Sequence, residues 1–128
     1  MARFLIVGGE ERSRALADAL QRDGNAVSVV EQAGRLGPLV AALEHVAIVC
    51  WLAEPSPEAF LLRAVDSSMR GLVHEARDWT PAVSETAARN SIPVAVVRAD
   101  PRDVPAWTHE ALAAIETLLA GDGSGLAR

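Results

Sequence analysis

Apolar residues fall into five short runs, separated by longer stretches in which they recur every three or four positions. The runs are 4–7 (Phe-Leu-Ile-Val), 26–31 (Ala-Val-Ser-Val-Val-Glu), 46–52 (Val-Ala-Ile-Val-Cys-Trp-Leu), 71–76 (Gly-Leu-Val-His-Glu-Ala) and 92–98 (Ile-Pro-Val-Ala-Val-Val-Arg). Runs of this length and apolarity predict strands covered on both faces. Five helices are predicted between and after them. The first spans 12–22, with Leu16, Ala19 and Leu20 on one face, and Gly24 caps its end in a left-handed conformation. The second opens at Gly37-Pro38, where proline suits a first helical position, and carries Leu36, Leu39, Val40 and Leu43 as its apolar stripe. The third opens at Ser56-Pro57-Glu58, with Phe60, Leu61, Ala64 and Val65 buried. The fourth runs from Thr80-Pro81 to near Asn90. The last begins at Pro105, turns Leu112, Ile115, Leu118 and Leu119 inward, and closes at Gly121.

Apolar strands alternating with amphipathic helices predict an α/β domain built on a five-stranded parallel sheet with helices on both faces. Right-handed crossovers then give the strand order 2-1-3-4-5. One domain over residues 1–120 is expected, followed by a frayed tail over 121–128. The pattern contains no internal repeat, low-complexity block or linker.

Composition narrows the function classes. Half of the 128 residues are hydrophobic and the net charge is −5. All twelve basic residues are arginine, and there is no lysine. An acidic chain without a basic stripe argues against nucleic acid as the main partner. Cys50 is the only cysteine, so no internal disulfide can form, and its apolar run reads as a buried thiol in a strand. The first apolar run is too short for a signal peptide, and no run reaches membrane-spanning length. A cytoplasmic location without a membrane partner is therefore expected.

Candidate chemistry concentrates at the first strand–helix turn. Strand, glycine pair and helix is the arrangement that cradles a phosphate at a helix N-terminus. Aligned on Gly8, a G-x-G-x-x-G pattern places Glu10 at the second glycine position and Ser13 at the third. Glu10 brings bulk and negative charge to the place where a pyrophosphate would lie. Arg12 and Arg14 either offset Glu10 and Glu11 or join them in a solvated helix start. Glu31 ends the second strand, about 20 residues beyond the turn, where an acid would bind adenosine ribose hydroxyls; its alternative is an ordinary exposed loop acid. Trp51, near the carboxyl edge of the third strand, stacks on a ligand or plugs the crevice.

The remaining candidates are weaker. His74 and Glu75 end the fourth strand, but neighbouring strand residues point to opposite faces, so the pair cannot easily serve one atom. His74 reads as a satisfied polar residue. His45 and His109 lack metal-ligand spacing. Ser67, Ser68 and Ser84 lack a nucleophile elbow. Asp100, Asp103, Glu10 and Glu54 are the acids that the sheet edge would gather. A receiver-domain reading needs an acidic cluster, a strand-end phosphorylatable aspartate and a later lysine. Strand three ends in Trp51-Leu52 and lysine is absent, so the residues argue against it.

Three stretches carry a family resemblance. They are Leu5-Ile-Val-Gly-Gly9 with its Ala-rich helix, the helix and strand from Arg35 to Leu52, and Ile92-Pro-Val-Ala-Val-Val-Arg98. In this order and spacing they resemble the Rossmann-fold NAD(P)-binding superfamily. As far as Ala120 the chain resembles a shortened extended short-chain dehydrogenase, of the NAD-dependent epimerase/dehydratase-like kind. That group's usual third strand and C-terminal substrate region are missing here. The resemblance implies a three-layer Rossmann-like fold and a dinucleotide, NAD rather than NADP, held by Gly8, Gly9, Arg12, Ser13, Glu31 and Trp51. That group passes its proton through a Tyr-x-x-x-Lys pair, and this chain has neither residue type, so hydride chemistry by that route is excluded. The corresponding helix, 79–90, carries no substitute. No catalytic residue or metal ligand is assigned. The expected function is a non-catalytic dinucleotide-binding sensor or regulatory module. The alternatives are a cofactor-free interaction or scaffold subunit and an oxidoreductase with an unfamiliar proton donor. A homodimer or another protein is the expected partner.

Overall fold

The structure, a computed structural model, describes residues 2–30, 41–52, 57–63, 69–75 and 81–121. Its elements are β1 (Arg3–Gly8), α1 (Glu10–Arg22), β2 (Ala26–Val30), β3 (Ile48–Leu52), α2 (Glu58–Arg63), β4 (Gly71–Glu75), α3 (Pro81–Arg89), β5 (Val94–Val97) and α4 (Val104–Gly121). The five strands form one parallel sheet in the order β2-β1-β3-β4-β5, as the alternation of apolar runs and helices requires. Register sets Gly8 beside Leu52, Trp51 beside His74 and Glu75 beside Val97, so the carboxyl ends of four strands share one edge.

Successive side chains of a strand leave on opposite faces, and this divides the core in two. On one face Leu5, Val7, Val49, Trp51 and Leu72 meet Phe60 and Leu61 of α2 and Val83 and Ala87 of α3. On the other, Phe4, Ile6, Ile48, Cys50, Leu52 and Val73 meet Leu16 and Leu20 of α1 and Trp107, Ala111, Ile115 and Leu118 of α4. Helices on both sides make a three-layer sandwich.

Element bounds and faces shift slightly from the sequence pattern. The inward face of α1 is Ser13, Leu16, Ala17 and Leu20, with Ala19 only half-buried. Helix α4 opens at Val104, because Asp103 is its cap. The Asp103 carboxylate accepts from the Ala106 N–H (3.2 Å) and its carbonyl accepts from the Trp107 N–H (2.9 Å). Its inward stripe starts at Trp107 and continues through Ala111, Ile115 and Leu118, leaving Leu112 and Leu119 on the flank. Strand β5 begins at Val94, and the Ile92 N–H instead closes the end of α3 on the Ala87 carbonyl (2.9 Å). The opening of the second helix at Gly37-Pro38, with most of its stripe, lies outside the described residues. So do Glu31, Ser56, Ala64, Val65, Thr80 and the tail beyond Gly121. Among the described residues no helix is long and apolar enough to cross a membrane.

The β1–α1 turn has three successive left-handed residues: Gly8 (φ 77°), Gly9 (φ 88°) and Glu10 (φ 44°). At Gly9 glycine is required twice over, since a Cβ there would stand 2.5 Å from the Leu52 Cδ1. Glu10 is an L-residue with a side chain in the same region, a strain of about 1–2 kcal/mol. Gly9→Ala should therefore destabilise the fold by about 2 kcal/mol or more, through strain and overpacking together. Glu10→Gly should stabilise it by about 0.5–1 kcal/mol, after the loss of one charge near the helix N-terminus. Urea unfolding checks both; equal midpoints for the two variants would contradict the turn as described.

Burial pushes the Cys50 thiol up from 9.0 to about 12. Below pH 9.0 the thiol is protonated in the folded and unfolded chains alike. Between 9.0 and about 12 only the unfolded chain releases its proton, so stability falls as pH rises. The chain has no tyrosine and no lysine, so no other side chain titrates in that window. Unfolding free energy should fall by up to about 1.4 kcal/mol per pH unit there. Cys50→Ala should flatten that limb; an unchanged slope in the variant would contradict the assignment.

Candidate functional site

In an open parallel sheet the ligand crevice lies at the carboxyl ends of the strands, where the chain direction reverses between β1 and β3. Here that place is filled from both faces. Leu52, at the end of β3, packs directly onto Gly9 and covers the turn. Trp51, its neighbour, goes to the opposite face and is 1% exposed, tilted against Phe60 with ring centres 4.9 Å apart. Trp51 is thus the plug and not a stacking platform. Glycine at position 9 makes room for the Leu52 side chain.

Arg12 leaves the first full turn of α1 and crosses to the last residue of β4. Its Nη2 donates to the Glu75 Oε1 at 2.9 Å, with the two side chains 15% and 2% exposed. The guanidinium carbon lies 5.7 Å from the ring centre of Trp107, within cation–π range. A buried carboxylate costs several kcal/mol in desolvation unless it is paired, and Arg12 offsets part of that cost at this depth. His74 leaves on the other face, as strand geometry dictates, and its Nδ1 meets the Trp51 carbonyl at 3.2 Å. A carbonyl only accepts, so the Nδ1–H is the donor in this contact. His74 is 1% exposed.

The other polar residues near the edge serve local roles. Ser13 is buried and its hydroxyl donates to the Glu10 carbonyl at 2.7 Å, while the Arg12 and Ser13 N–H groups reach the Gly9 carbonyl at 2.9 and 3.3 Å. Glu10 is exposed. Asp100 pairs with Arg102 at 3.0 Å on the surface, and Asp103 caps α4. The Glu110 carboxylate accepts from the Arg98 and Ala99 N–H groups and so fixes the loop after β5. His45 is exposed beside Glu44, and His109 is exposed on α4. Glu54 lies outside the described residues. Among the described residues no group of three or more His, Cys, Asp or Glu could hold a metal ion. A hard cation needs several converging oxygens, and at the end of β3 Trp51 and Leu52 offer no carboxylate.

The sequence pattern left Trp107 unread and gave Glu75 no partner. Glu75 is a carboxylate in a run that is otherwise apolar, and such an acid needs a cation reaching in from a neighbouring helix. Trp107 stands four residues before Ala111 and eight before Ile115, and so begins the buried stripe of α4. Neither signal identifies Arg12 as the common partner; the fold does.

No protein-family model matches the chain, and no curated protein matches its sequence. Its fold is similar to that of a CheY-like response regulator receiver domain from Methanospirillum hungatei JF-1 (TM-score 0.60, 17% identity, covering 91% of this chain and 98% of that one). It is likewise similar to the chemotaxis protein CheY4 of Vibrio cholerae (TM-score 0.60, 12% identity, 92% and 98% covered). A third is a signal receiver domain of a two-component histidine kinase from Clostridium thermocellum (TM-score 0.63, 11% identity, 92% and 97% covered). At these identities the likeness is one of fold, and it corrects the resemblance to short-chain dehydrogenases. The chain is not a Rossmann domain that has lost a strand, because five strands in the order 2-1-3-4-5 are the whole of a flavodoxin-like sheet. The NAD reading goes with it: Leu52 covers Gly9, Arg12 is committed to Glu75, Ser13 to its own helix and Trp51 to Phe60. The NAD-dependent oxidoreductase alternative built on that superfamily is withdrawn as well. The fold is the one that solved receiver domains share.

Proposed function

We propose that this chain is a receiver-type signalling module that answers to a protein partner without taking up a phosphoryl group. The fold supports the first half, since the similar receiver domains match over nearly their whole length. The observation that carries the second half is the identity of the β3 terminus. Phosphoryl uptake by a receiver needs an aspartate there, and Trp51-Leu52 supplies an indole and an alkyl chain, neither of them a nucleophile. Neutralising the charge on a transferred phosphoryl group also takes cations held ready. This chain has no lysine, and the Arg12 guanidinium is engaged by Glu75. Neither NAD nor a divalent cation belongs to this reading. A single domain over 1–120, a cytoplasmic location and a protein partner, a second copy included, do belong to it.

Small-molecule phosphodonors test it. Incubated with acetyl phosphate or phosphoramidate and millimolar Mg2+, the protein should keep its intact mass and its thermal midpoint. A stoichiometric phosphorylated species, cleaved by hydroxylamine as an acyl phosphate is, would overturn the reading.

A further inference from the structure

The Arg12–Glu75 contact joins residues 63 positions apart, and Trp107 adds a third element. Arg12 stands in the first full turn of α1, Glu75 ends β4 and Trp107 lies in the opening of α4. We propose that Arg12, Glu75 and Trp107 form an internal latch that couples the start of α1, the end of β4 and the opening of α4 into one two-state unit. This goes beyond the function proposed above, and it is a property of the isolated chain.

The argument is electrostatic and geometric. Glu75 is 2% exposed, so α1 cannot lift from the β4 terminus without parting a buried carboxylate from its cation. Trp107 is fully buried beside the same guanidinium, so a displacement of α4 strips one side of Arg12. The planar guanidinium suits both contacts at once, a carboxylate partner and an aromatic ring, which a lysine ammonium would not match. Half-open arrangements part a buried carboxylate from the guanidinium that faces it, which favours two discrete arrangements over gradual deformation. The Arg12 side chain is still 15% exposed, so the latch borders solvent at the carboxyl edge, where a partner's contact can act on it.

Double-mutant analysis with hydrogen exchange tests the proposal. Arg12→Met and Glu75→Met should each lower the urea midpoint, while the double variant should recover most of the loss, because two apolar side chains replace the pair without stranding a charge. In the double variant the amides opening α1 and α4 should exchange about tenfold faster at matched global stability, within the 5–150-fold range of coupled sites. Wild-type exchange at both openings would overturn the latch and leave only packing. Single variants as stable as the wild type would overturn it too. If the methionine variants do not fold, Arg12→Lys carries the test. It keeps the charge and loses the guanidinium plane, so the opening of α4 should exchange about tenfold faster while the β4 end stays protected. Wild-type protection at both places would overturn the proposal. The phosphodonor experiment is read on a different signal, so failure of either proposal leaves the other standing.

Discussion

A parallel sheet has no face it can leave bare, and the rest of this molecule answers to that constraint. Its strands are joined by crossovers, and each crossover lays a helix on one face or the other. Every residue of β3 and β4 is consequently buried, and each strand must supply apolar groups to both layers. This explains why β3 reads Ile-Val-Cys-Trp-Leu without a polar position. It also explains why the one acid in β4 had to find a cation inside. The Arg12–Glu75 pair is therefore a consequence of sheet architecture: an acid at the end of a doubly covered strand faces a helix, not water.

The fold was largely legible in the residues. Period and apolarity separate five strands from the helices, and handedness leaves one economical strand order, which the register of the sheet bears out. Bounds were less legible, for local reasons. Asp103 caps α4 one residue before the helix opens at Val104, ahead of Pro105, and the Ile92 N–H closes α3 before β5 starts. The α4 stripe shifted because Trp107, the largest residue on that helix, takes the deepest place and rotates the face toward Ala111.

The site was less legible because the same local pattern serves two purposes. A glycine pair after a first strand leaves room for whatever approaches it, and only the neighbouring strand says what that is. Here the neighbour is Leu52, reaching within a Cβ's breadth of Gly9. As a phosphate cradle the pair points to a dinucleotide-binding superfamily, which the fold does not bear out. The want of an aspartate and a lysine points away from a receiver, yet those residues specify a reaction and not a sheet. Five short strands and flanking helices stand without them, held by the packing of Trp51 on Phe60 and of Trp107 beneath Arg12.

The buried pair also has a consequence for how this sequence can change over time. Arg12 offsets part of the cost of burying Glu75, and Glu75 in turn holds the Arg12 guanidinium at the sheet edge. A lineage that replaces either residue first must pass through a destabilised intermediate. The two positions, 63 apart in the chain, are therefore expected to be inherited together or lost together. Among descendants of this protein, the identity of one should forecast the identity of the other more faithfully than any resemblance along the intervening loops.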